Sequence, residues 1–109
     1  MEFLNKIEII GIVGSVYILK DNEDPVANIS VVTESSHRIA DGTTVVDYTW
    51  FNVNLWQHQT KDPLTDYKKG DWVHVIGRLK MNKYFGEGGA ERLVPTIVVN
   101  TCEKLNKEL

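Results

Sequence analysis

Asp62-Pro63-Leu64-Thr65-Asp66-Tyr67-Lys68-Lys69-Gly70 decides the fold, because it reads as a short helix set between two strand-like runs. Asp62 is placed to cap it and Pro63 takes the first helical position. Lysines occupy the last turn and Gly70 supplies the stop. Thr43–Trp56 lies upstream and Asp71–Phe85 downstream, both rich in β-branched and aromatic residues. Further out, Asn5–Leu19, Val26–Ser35 and Glu91–Asn100 complete five strands. Asp21–Pro25, the polar loop Ser36–Gly42 closed by Asp41-Gly42, and Gly86–Gly89 are the turns between them. Pro95 inside the fifth run marks an edge or a bulge, since proline cannot donate to a ladder. Three strands, a helix and two strands predict an all-β, five-stranded OB-fold: a Greek-key barrel with one short helix between strands 3 and 4. SH3-like barrels and small sandwiches share the strand content; the helix position favours the OB order. One domain over residues 1–105 is expected, with 106–109 as a short C-terminal end and no acidic tail.

Composition excludes much else. A chain of 109 residues is the size of one domain, and 42% hydrophobic with 25% charged residues rules out collagen, coiled-coil and disordered classes. No apolar run approaches the roughly 20 residues of a membrane-spanning helix. The start, Met1–Lys6, lacks the pattern of an export signal. A single cysteine, Cys102, permits no intrachain disulfide and fits a reducing compartment, so a cytoplasmic protein is expected. The net charge of −3 hides an uneven distribution. Residues 1–67 hold four basic side chains against ten acidic ones, whereas residues 68–92 hold six against three. Binding responds to local potential, so the second segment is the one that matters for a polyanion.

Strand alternation then sorts the side chains. Phe51, Val53 and Leu55 form an apolar core face in the third strand. That leaves Tyr48, Trp50, Asn52, Asn54 and Trp56 together on the other. In the fourth strand Val73, Val75, Gly77, Leu79 and Met81 share the apolar face. Trp72, His74, Ile76, Arg78, Lys80, Asn82 and Tyr84 share the opposite one, Trp72 being assigned to packing. Flat aromatics interleaved with amides and cations are what an unpaired nucleic-acid strand requires, since bases stack on rings and cations follow phosphates. The same face also suits burial against a partner or a second subunit. The first strand is apolar on both sides. Ile7, Ile9, Val13 and Tyr17 lie on one face and Ile10, Ile12, Val16 and Ile18 on the other, so a subunit is expected to cover the second. Gly11 and Gly14 predict a bulge or bend there.

Catalytic and metal chemistry find no support. His37, His58 and His74 are scattered and show no ligand spacing with the lone cysteine. Gly86–Gly89 is not followed by the Gly-Lys-Ser/Thr of a phosphate loop. No Ser/His/Asp set is suggested by position. The expectation is a protein without catalytic residues, metal or cofactor.

In order and spacing, Asn5-Lys6-Ile7-Glu8-Ile9-Ile10-Gly11, Val26-Ala27-Asn28-Ile29-Ser30-Val31, Thr49-Trp50-Phe51-Asn52-Val53-Asn54-Leu55-Trp56, Lys68-Lys69-Gly70-Asp71, Gly77-Arg78-Leu79-Lys80, Lys83-Tyr84 and Val98-Val99-Asn100 resemble the bacterial single-stranded DNA-binding proteins. The resemblance covers nearly the whole chain. It implies an OB-fold, commonly a homotetramer, that coats single-stranded DNA in replication, recombination or repair. By position, Trp50 matches a base-stacking tryptophan, Trp56 a stacking phenylalanine and Tyr84 another stacking tryptophan. His37 stands at a fourth stacking position. Lys6, Arg78, Lys80 and Lys83 fall near basic positions that contact phosphate. Ending at Leu109, the chain is expected to be a tailless member, a tetramer or a dimer, with tail-mediated recruitment of replication proteins in question. Two rival functions on the same barrel are a primosomal-type protein-interaction module and an oligosaccharide- or RNA-binding protein.

Overall fold

The computed structural model describes residues 1–19 and 24–105. Five strands, β1 (Ile7–Leu19), β2 (Val26–Arg38), β3 (Thr44–Trp56), β4 (Trp72–Phe85) and β5 (Glu91–Leu105), close into a barrel in the order β1-β2-β3-β5-β4. β1 makes closure possible by pairing twice. Its first half, Ile7 to Ile12, runs against β4, and its second half, Ile12 to Leu19, runs against β2. Among the described residues the β3–β5 contact is the one parallel seam, from Asn52–Thr96 to Asn54–Val98. This is the OB arrangement read from the sequence. Residues 21–23 of the expected first turn and the expected C-terminal end lie outside the described residues.

Inward alternation fills the barrel with β-branched side chains. Val13, Val31, Val53, Val73, Val75, Ile97 and Val99 are all buried, with Leu55 beside them. Pooled burial of apolar area at roughly 25 cal/mol per Å² is the main force holding such a core. The expected helix is much shorter than the sequence implies. Only Leu64–Asp66 forms a turn, of 3-10 type, and Pro63 precedes it in extended backbone. A 3-10 turn puts residues i and i+3 on one side, which lets Leu64 and Tyr67 plug the barrel end together; both are buried. Gln57 holds the segment from outside the turn. Its Oε1 accepts the Leu64 N–H at 2.9 Å and its Nε2 donates to the Asp62 carbonyl at 2.9 Å. Asp62 makes no side-chain cap. Gly70 does end the segment, with φ of 96°, and its N–H donates to the Val13 carbonyl at 2.8 Å.

Three further expectations change. The ladder of β1 slips between Val13 and Ser15, at Gly14. The extra residue reverses parity, so Val16 and Ile18 turn inward and Tyr17 turns out, 66% exposed. Leu79 and Met81 do not join the core. β4 leaves β1 at Gly77 and continues with β5 as a two-stranded ribbon, where the inner face has no opposite wall; Met81 is 49% exposed. Similarly, β2 and β3 pair out to Arg38–Thr44, which reduces the expected loop to the turn Ile39–Thr43. Pro95 falls in the ribbon, opposite Met81, where β5 pairs with β4 alone.

Candidate nucleic-acid interface

β3 sits at the centre of the outward face. Along it run Trp50, Asn52, Asn54 and Trp56, with both tryptophans exposed and Trp50 61% so. Register builds the face sideways. Asn54 faces Asn28 on β2 and Val98 on β5; Asn52 faces Ser30 and Thr96. One strand further, Tyr17 pairs with Asn28 and Ser15 with Ser30, the two serine hydroxyls 2.7 Å apart. On the other side Arg78 pairs with Val98, Lys80 with Thr96 and Asn82 with Val94.

These rows enclose a groove of about 480 Å³. Its floor is Asn28, Ser30, Asn52 and Asn54, its walls Ser15 and Tyr17 on one side and Asn82, Tyr84, Val94 and Thr96 on the other. Trp50 borders it where β1 bulges: a side chain at Gly14 would collide with the outer edge of the Trp50 ring and approach Ser30 Oγ. The glycine therefore seats the indole as well as bending the strand.

The cations divide. Arg78 and Lys80 are exposed on the outward face of β4, beside the groove, and Lys6 stands one step beyond the Ile7–Gly77 pair, next to Arg78. None of these three makes an ion pair among the described residues. Asn5 anchors the approach to β1, its side chain donating to the Leu79 carbonyl at 2.8 Å and accepting the Leu79 N–H at 3.0 Å. Lys83 alternates to the reverse face of the ribbon, with its ammonium 3.1 Å from Glu91. His37 pairs with Val45, so it lies on the face opposite Trp50, 3.5 Å from the Asp47 carboxylate. Trp50, Trp56, Tyr84, Arg78 and Lys80 thus share the outward surface, whereas His37 and Lys83 do not.

Sequence reasoning missed Tyr17 and the role of Asn28 in the groove. Applying the Gly14 bulge to the parity of β1 would have found Tyr17. Cys102 packs in the core: burial pushes its thiol up, and the Tyr67 hydroxyl, itself bonded to Thr60 Oγ1, donates to its sulfur. No described helix is long and apolar enough to cross a membrane.

A model of the single-strand binding protein family matches residues 4–105. Two Neisseria meningitidis proteins, from serogroups A and B, each called single-stranded DNA-binding protein, are 31% identical over 104 residues. Those alignments cover 94% of this chain, which spans only 60% of each relative's length. The mitochondrial single-stranded DNA-binding protein of Danio rerio is 26% identical, over 97% of this chain and 79% of its own. Among solved structures, a Plasmodium falciparum SSB in complex with ssDNA has a TM-score of 0.73 at 24% identity, covering 97% of this chain and 98% of that one. A deletion mutant of the Thermus aquaticus single-stranded DNA binding protein has a TM-score of 0.75 at 16% identity, covering 94% and 51%. At those identities the two structures speak for the barrel alone. By the extent of the family match and the identity to the Neisseria proteins, the chain belongs to the single-strand binding protein family.

Proposed function

We propose that the chain is a non-enzymatic, sequence-independent binder of single-stranded DNA that shields unpaired strands in replication, recombination or repair. The observation that carries this reading is the exposed pair Trp50 and Trp56, flanking a neutral groove on one face of β3. Bases stack on these rings and on Tyr84, while Lys6, Arg78 and Lys80 follow the phosphates. A strand that wraps around the protruding β2–β3 and β4–β5 hairpins meets His37 and Lys83 on their reverse faces. Selectivity for single strands follows from the mechanism, because a duplex hides the base faces that the rings need.

Assembly through β1 belongs to the same reading. Among the described residues its first half has β4 on one edge only, and Ile10, 54% exposed, points outward beside Ile12, Trp72 and Ile76. A second copy covering this surface gives a dimer or, with two such faces, a tetramer. Cys102, buried as a thiol, suits a cytoplasmic setting.

Tryptophan fluorescence tests the proposal. Titration with oligo(dT) quenches emission strongly at low salt and less at high salt, and a matched duplex leaves it nearly unchanged. Trp50→Ala and Trp56→Ala each weaken binding by about 1–3 kcal/mol with the fold intact. Lys80→Ala instead lowers the salt slope by about one. Absence of quenching at low salt overturns the reading in favour of a protein-interaction surface.

A further inference from the structure

The groove between the aromatic residues carries no charge. Its lining contains amides, hydroxyls, two tyrosines and aliphatic groups, and not one acidic or basic side chain. Four carboxamides converge there from three strands: Asn28 from β2, Asn52 and Asn54 from β3, and Asn82 from β4. Among the described residues, none of the four side-chain amides makes a hydrogen bond within the protein. Asn54 and Asn82 are half-buried, so their polar atoms face the groove rather than open water on every side. Asn28 and Asn54 are direct cross-strand partners, so their amides form one adjacent pair. Tyr17 stands beside that pair on β1, and Tyr84 stands on the opposite wall.

A phosphate subsite would need cations or convergent backbone N–H groups, and neither lines this space. A carboxamide presents a donor and an acceptor side by side. Each nucleobase also presents hydrogen-bonding groups along its Watson–Crick edge, which is exposed only when the base is unpaired. We propose that this groove is a base-edge subsite, in which Asn28, Asn52, Asn54 and Asn82 hydrogen-bond the edges of unstacked bases held against Tyr17 and Tyr84. This rests on the single-strand reading and adds a second kind of contact to it. The tryptophans take the π-faces of some nucleotides, while the asparagines take the edges of others. Because an amide re-forms bonds with any base by rotating, the subsite tolerates sequence, and because it is uncharged its contribution does not weaken with salt.

The test compares oligo(dT) with an oligomer of the same length in which thymine is replaced by difluorotoluene, a base of the same shape with almost no hydrogen-bonding edge. Affinities of both are measured at one salt concentration for the wild-type protein and for the double variant Asn52→Leu, Asn54→Leu. Its thermal unfolding is recorded alongside. The ratio of the two affinities, thymine over isostere, falls about three- to tenfold in the variant, the size expected for losing neutral hydrogen bonds. The salt slope stays unchanged. The single variant Asn28→Ala, at an exposed position, gives the same readout should the double variant unfold. An affinity ratio that is the same in wild type and variants overturns the subsite while leaving the single-strand reading standing. Failure of the wild-type protein to bind either strand overturns both.

Discussion

His74 shows how one side chain on the outward barrel surface is tuned by neighbours from two other strands. Its Nε2 lies 2.6 Å from the Glu8 carboxylate on β1 and its Nδ1 lies 3.5 Å from that of Glu103 on β5. The hydrogen bond to Glu8 is the main force raising its pKa above the usual histidine range; the Glu103 bond adds to it, and partial burial opposes both. A raised folded pKa stabilises the fold in the protonated form. The stabilisation is complete below the unfolded value of about 6.5 and disappears as pH rises through the higher folded value. Imidazole titration by NMR is expected to give a midpoint above about 6.5 in the wild-type protein and a lower one in Glu8→Gln. The stability advantage of wild type over Glu8→Gln, from denaturant melts, is expected to be largest near pH ~6 and to shrink toward pH ~8. A pH-independent difference would remove the charge pair from the account. Asp41 is the contrasting case. The Thr43 hydroxyl and N–H hold its carboxyl below the ordinary range, at an exposed turn where the result is local.

Among the elements, Gly77 and Gly14, two of the strand glycines crowded by neighbours, do different jobs. A Cβ at Gly77 would run into the Val98 carbonyl, which is backbone within a ladder and has nowhere to go. Gly77→Ala is expected to cost about 1–3 kcal/mol of stability in chemical denaturation. At Gly14 the obstacle is the outer edge of the Trp50 ring, which is free to swing out. Gly14→Ala is therefore expected to shift tryptophan emission and weaken single-strand binding, with little change in the melting temperature. Equal destabilisation by both changes would contradict this division. The same elements explain what could be read from sequence. The β3 faces were legible because Phe51, Val53 and Leu55 alternate without interruption against Trp50, Asn52, Asn54 and Trp56. The lower half of β1 was not, because a one-residue slip at Gly14 reverses every later side chain and alternation alone does not say which glycine carries the slip. Leu79 and Met81 read as core because pattern reports polarity, whereas burial needs an opposing strand that ends at Gly77. The 62–70 segment had helical punctuation, but Leu64 and Tyr67 had to share one plug, and long-range bonds from Gln57 and Gly70 outweigh local propensity.

For the molecule as a whole, a net charge of −3 coexists with a cationic edge at Lys6, Arg78 and Lys80 that is unpaired among the described residues. For the proposed binding of a polyanion, local placement matters more than the total. The double pairing of β1 has a consequence in time. The β2–β3 ladder closes on its own tight turn and is made of neighbours in sequence, whereas the β1–β4 seam joins Ile7 to Gly77. Local pairing is fast and distant pairing slow, so pulse-labelling hydrogen exchange during refolding is expected to protect β2–β3 amides before those of the β1–β4 seam; the reverse order would refute it. A chain emerging from synthesis then possesses the floor of its groove, with Asn28, Asn52, Trp50 and Trp56 in register, while the wall from β4 and β5 is still being made. Closing the barrel is the step that turns an exposed aromatic hairpin, prone to stick to other chains, into a groove with sides.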